Sequence, residues 1–112
     1  MPSNSAKGAY YKARSKKVLE SAGYNVADME IVRQVWTPRG MIATKRDQFG
    51  ADLLAKNINE TLYVQVKSTI RRADIASAKR AFEDAGPWPP STRREIHVWK
   101  RGARAPEIVQ CP

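Results

Sequence analysis

Small and apolar residues recur at helical spacing along residues 8–22. Tyr11, Ser15, Val18, Leu19 and Ala22 share one face, and Lys12, Lys16 and Lys17 fall away from it. The spacing predicts an amphipathic helix ended by Gly23, since glycine most readily adopts the left-handed conformation that closes a helix. Tyr24 and Val26 then open an extended chain, so the helix is expected to pack on a sheet. The β-formers Ile31, Val32, Val35 and Trp36 lead into the turn signal Thr37-Pro38-Arg39-Gly40 and on to residues 41–44, which predicts a hairpin. A second hairpin is predicted from the run Gly50-Ala51-Asp52-Leu53-Leu54-Ala55, a polar turn through Asn57, Asn59 and Glu60, and a strand over 62–67.

Helical spacing returns at Ile75, Ala78, Phe82 and Ala85, with Asp74 as the expected N-cap and Gly86-Pro87 as the stop. The stiff loop Pro87-Trp88-Pro89-Pro90 follows, then two closing strands over 95–100 and 106–110 around Gly102. The pattern is that of an α/β protein with a central mixed sheet flanked by helices. At 112 residues the chain has room for one core, so one domain is expected over 1–112, with 1–6 as a flexible lead.

Composition narrows the classes. An apolar share of 42% and a charged share of 28% suit a folded globular chain, and no apolar stretch approaches the length of a membrane span. Cys111 stands alone, so an internal disulfide and a Cys-rich zinc site are both excluded; this usage suits a reducing cytoplasm. Charge changes the picture most. Twenty Lys and Arg against eleven acids give +9, a field that favours a polyanionic partner, DNA first among them. The same basicity suits a ribosomal protein or an anionic surface, so the chemistry must come from particular residues.

Side chains alternate along a strand, so Tyr63, Gln65 and Lys67 share one face of 62–67 while Leu62, Val64 and Val66 share the other. The apolar face is expected to be core. The polar row is expected to border a cleft, because Gln and Lys without partners are costly to bury. Asp52 begins the neighbouring strand and can face the same cleft. An acid, a neutral oxygen donor and an amine at adjoining strand ends can perform phosphodiester chemistry: the oxygens hold a hard divalent cation and the amine stabilises charge on the phosphate. The plainer readings are a turn cap for Asp52 and a solvated edge-strand charge for Lys67.

Gly50-Ala51-Asp52 with Gln65-Val66-Lys67-Ser68 resembles the core of the PD-(D/E)XK, restriction-endonuclease-like nucleases, in the variant with Gln for the second acid. Lys7-Gly8 at the head of a basic helix that ends in Gly23-Tyr24 is similar to the opening of archaeal-type Holliday junction resolvases. The resemblance spans roughly 7–68 and implies a restriction-endonuclease-like core in the order α-β-β-β-α-β. It further implies a Mg2+- or Mn2+-dependent DNA endonuclease acting in recombination, repair or phage DNA processing. Branched DNA is the implied partner, and junction cleavage implies a homodimer. Carried across by residue, it implies metal binding by Asp52, Gln65 and the Val66 carbonyl, and a catalytic amine at Lys67.

Two positions depart from the family pattern. Lys12 stands where the resolvases carry Glu, and neutral Gln65 replaces an acid. Asp47, in the expected loop Lys45-Arg46-Asp47-Gln48-Phe49-Gly50, is the candidate replacement ligand, since phage-type nucleases resemble this stretch. Lys12, Lys16, Lys45, Arg46, Ser68, Arg71 and Arg72 are the candidate DNA contacts, with Arg93, Arg94, Arg101 and Arg104 further off. His97 is expected to be structural, and Trp88, set among prolines, is the aromatic best suited to an interface. A catalytically silent DNA-binding module of the same fold is the alternative, and an RNA-binding protein a weaker one.

Overall fold

The computed structural model describes residues 4–47, 49–68 and 71–111. Its elements run α1 (Asn4–Ser21), β1 (Asn25–Asp28), β2 (Glu30–Thr37), β3 (Gly40–Asp47), β4 (Leu53–Lys56), β5 (Thr61–Lys67), α2 (Arg72–Ala85), β6 (Thr92–Val98) and β7 (Glu107–Cys111). Five strands form one sheet in the order β1-β4-β5-β6-β7, and β2 and β3 form a separate pair. All neighbours are antiparallel except β5 and β6, which run parallel and are joined across the sheet by α2. A parallel pair needs such a crossover, and a helix is its usual form.

The chain order therefore differs from the expected α-β-β-β-α-β, with five strands before α2 and two after it. The β2–β3 hairpin accounts for the two extra strands before α2, and β7 adds one after it. The hairpin is inserted between β1 and β4, so the sheet itself takes three strands between the helices. β1 gave only a weak sequence signal, because within it Val26 alone is partly buried.

Of the stripe its spacing predicts, helix α1 buries Tyr11, Ser15 and Leu19 and half-buries Val18, whereas Ala22 lies past its end and is exposed; Lys16 and Lys17 stay exposed. It begins at Asn4, so part of the expected flexible lead is helical. Helix α2 buries Ala78 and Phe82. Its N-cap is Arg71, with no side-chain capping bond; Asp74 lies inside the first turn, where its charge favours the positive end of the helix dipole.

The helices cover opposite faces of the sheet. Leu19 packs with Leu53, Ala55, Leu62 and Val64 on one side. On the other, Ala78 and Phe82 pack with Ala51, Ile96 and Val98, and Tyr63, Ile75 and Trp88 close around them. The row Tyr63, Gln65, Lys67 is thus no open polar face: Tyr63 and Lys67 are half-buried and Gln65 is 7% exposed. Trp88 likewise packs inward. Its ring meets Tyr63 and Phe82, its indole donates to the Phe82 carbonyl at 2.8 Å, and Arg94 lies over its face.

Candidate active site

Strands β1, β4 and β5 converge on Asp52. Its carbonyl accepts from Met29 N–H at 2.8 Å, and its own N–H donates to the Val64 carbonyl at 2.9 Å. Val64 is also the ladder partner of Leu53, so two successive residues face one. That is the arrangement of a β-bulge, which bends a strand and re-aims a side chain. The packing agrees: in a regular strand residues two apart share a face, yet Ala51 joins the α2-side core and Leu53 the α1-side core. Alternation breaks at Asp52.

The break turns the Asp52 carboxylate toward β5, where Oδ2 accepts from the Val66 N–H at 2.9 Å. Asp52 therefore acts as a cross-strand clamp. Its carboxylate lies against the backbone between Gln65 and Lys67. Gln65 is buried, and its Oε1 has no hydrogen-bond partner among the described residues. A buried carbonyl oxygen without a donor carries a desolvation cost of about 1–3 kcal/mol, so something must compensate for it. Lys67 ends β5 beside Val98, and its carbonyl accepts from Trp99 N–H at 2.8 Å. Asp52, Gln65, Val66 and Lys67 are thus gathered where β4 and β5 meet.

The remaining sequence candidates divide. Lys12 reaches the end of β1 and pairs with Asp28 at 2.9 Å; Asp28 is the register partner of Leu53, so Lys12 lies near the same strand ends. Lys16 is exposed one turn further along α1. Ser68 follows β5 half-buried, and Arg71 and Arg72 are exposed where α2 begins. Lys45, Arg46 and Asp47 lie in β3 and not in the expected loop, with Asp47 the register partner of Glu30; their side chains lie outside the described residues. Gln48 lies outside them altogether. Among the described residues there is no group of three or more His, Cys, Asp or Glu able to hold a metal ion. No known family model and no curated protein matches the chain.

Two polar groups escaped the sequence reading. Glu60 receives both Arg93 Nε at 2.7 Å and Arg93 Nη2 at 2.5 Å, and the Tyr24 hydroxyl also donates to it. Hydrogen bonds from Arg93, and then from Tyr24, hold the Glu60 carboxyl down to about 2. Arg93 is thus committed within the fold. The second group is a buried chain under α1: Trp99 Nε1 donates to Ser15 Oγ at 2.8 Å, His97 Nδ1 lies 3.1 Å from the same oxygen, and His97 Nε2 lies 3.4 Å from Glu95. Burial pushes the Glu95 carboxyl up, but hydrogen bonds from His97 and Gln110 and the charge of Arg93 outweigh it and leave it below the usual range. The Ser-His-Glu order resembles a hydrolytic triad, yet Ser15 and His97 are fully buried and no substrate can reach them. It ties α1 to β6. Each group depends on partners distant in sequence, Glu60 with Arg93 and Ser15 with His97 and Trp99, which is why neither is legible in the chain.

Proposed function

We propose that this protein is a metal-dependent DNA endonuclease of the restriction-endonuclease-like type, with Asp52, Gln65 and Lys67 at its centre. The observation that carries the reading is the bulge at Asp52, which sets a carboxylate against the β5 backbone at Val66, next in sequence to the buried Gln65, whose Oε1 has no hydrogen-bond partner among the described residues. Both groups offer oxygen, the donor that hard cations prefer, so the residues fit Mg2+ or Mn2+. Asp52, Gln65 and the Val66 carbonyl would hold the ion, with Asp47 the further acid. A bound divalent ion would polarise the phosphoryl oxygen and supply a hydroxide-like nucleophile near neutral pH.

The chain's own side chains supply the rest. The Lys67 ammonium, one residue past the clamped Val66, stabilises the negative charge that grows on the phosphate as the bond breaks, a task worth more in a partly buried site than in water. Arg71 and Arg72 anchor the DNA backbone just beyond it, without sequence preference. The element order supports the reading too. With the β2–β3 hairpin set aside, α1, β1, β4, β5, α2 and β6 follow the α-β-β-β-α-β core that the motif resemblance implies. Junction preference and a homodimer belong to the same proposal, since paired cuts across a two-fold junction need two sites related by that symmetry.

One contact favours the second reading, a DNA-binding module without turnover: Lys12, where the resolvases carry an acid, is held by Asp28 near the site. A substrate panel separates the two. Linear duplex, single strand, flap and four-way junction are incubated with wild-type protein and Mg2+, Mn2+ or EDTA. Cutting of at least one substrate that requires metal is expected. Tight binding of all four with no cutting would favour the silent module.

A further inference from the structure

The β2–β3 hairpin is the one long element of the fold that packs on nothing substantial among the described residues. Its strands pair with each other from Glu30↔Asp47 to Thr37↔Gly40 and with no strand of the main sheet. An isolated two-stranded hairpin is marginal in water, so one of this length implies a surface that it meets. Near its tip Trp36 is 79% exposed, although a tryptophan is costly to leave in water. Its charge is one-sided. Its sequence carries four cations, Arg33, Arg39, Lys45 and Arg46, against two acids, Glu30 and Asp47, which are register partners at its base.

The root of the hairpin is the candidate active site. Met29, immediately before β2, bonds to the Asp52 carbonyl, and β3 ends five residues before Asp52. We infer that the hairpin is a duplex-binding arm that lies along DNA to one side of the scissile phosphate. This rests on the DNA-cleaving reading of the site. The dimensions fit. Eight residues per strand span about 25 Å, which is about seven base pairs at the ~3.4 Å spacing of phosphates along each strand. A two-stranded ribbon also enters the ~12 Å major groove. Four cations against two acids suit phosphate, and the exposed Trp36 ring offers an apolar face to sugar and base edges.

The test measures binding alone, in EDTA, to a 20-base-pair duplex. First, acrylamide quenching of the wild type reads Trp36 directly, because Trp99 is buried and Trp88 half-buried. Duplex should remove most of the Trp36 quenching. Second, the variant Arg33→Ala, Arg39→Ala, Lys45→Ala, Arg46→Ala is compared with wild type after circular dichroism shows that it folds. Each lost phosphate contact lowers the slope of log affinity against log salt by ~0.9, so a drop of about 2–4 and at least tenfold weaker binding are expected. A folded variant with unchanged slope overturns the arm. If the variant does not fold, a Trp36 equally quenchable with saturating duplex overturns it. Protection of Trp36 by raising protein concentration without DNA, with dimers in sedimentation, overturns it in favour of self-contact. A wild type that protects Trp36 on duplex yet cuts nothing with either metal leaves the arm standing and removes the nuclease reading.

Discussion

A single inserted residue sets where the Asp52 carboxylate points. At Asp52 the bulge spends the backbone N–H and carbonyl on two neighbouring strands and frees the carboxylate to reach a third point, the Val66 N–H. The alternation of Leu62 and Val64 against Tyr63 and Gln65 was legible in the sequence because it is a property of one strand. The bulge was not, because it exists only between strands: Gly50-Ala51-Asp52-Leu53 reads as a plain apolar run until Ala51 and Leu53 are found in opposite cores. Glu60 makes a separate residue-scale test, through pH. Its folded carboxyl is held at about 2 against an ordinary 4.5, so its contribution is complete above about pH 4.5 and is lost as pH falls toward 2. Solvent screens the pair, because the Arg93 side chain is 43% exposed, and the contribution should not exceed about 1 kcal/mol. In thermal melts wild type should exceed Glu60→Gln at pH 6, and the gap should close between pH 4.5 and 2. A gap constant across that window would show that Arg93 does not hold Glu60 in the folded state.

At the scale of elements, the turn between β3 and β4 fixes how the site meets α2. Gly50 adopts φ +76, and a Cβ there would come within 3.2 Å of the Ala81 backbone carbon and 3.3 Å of its carbonyl oxygen. Backbone in this region cannot yield as a side-chain tip can, so strain and contact act together. Gly50→Ala is expected to lower stability by about 1–3 kcal/mol in urea titration and to weaken any activity, since Asp52 follows two residues later. An unchanged midpoint would mean that α2 can shift freely away from the turn. Helices and strand types were legible here: the stripe Tyr11, Ser15, Leu19 and the pair Ala78, Phe82 are buried as their spacing requires. The separateness of the first hairpin was not. Ile31, Val32, Val35 and Trp36 have the composition of a sheet strand, and nothing local distinguishes a strand that joins the main sheet from one that projects.

For the whole molecule, the two-sided sheet and the charge pull in different directions. Packing on both faces hides the middle of β5, so within the sheet only strand ends, bulges and the inserted hairpin can carry a surface function. The +9 charge makes that surface attractive to phosphate wherever it is open. Lys67, one cation among twenty, lets broad attraction and the proposed chemistry be tested apart. On the proposed nuclease reading, removing it should barely change DNA affinity but should take away the amine that stabilises charge on the phosphate. The decisive measurement is therefore paired: single-turnover cleavage with Mg2+ and DNA affinity in EDTA, for wild type, Lys67→Ala and Asp52→Ala. Expected are a loss of cutting of at least ~100-fold in Lys67→Ala with affinity within about threefold of wild type. Asp52→Ala should cut nothing while binding metal-free DNA at least as tightly, since an acid has left a basic surface. Lys67→Ala or Asp52→Ala cutting at the wild-type rate would contradict the site.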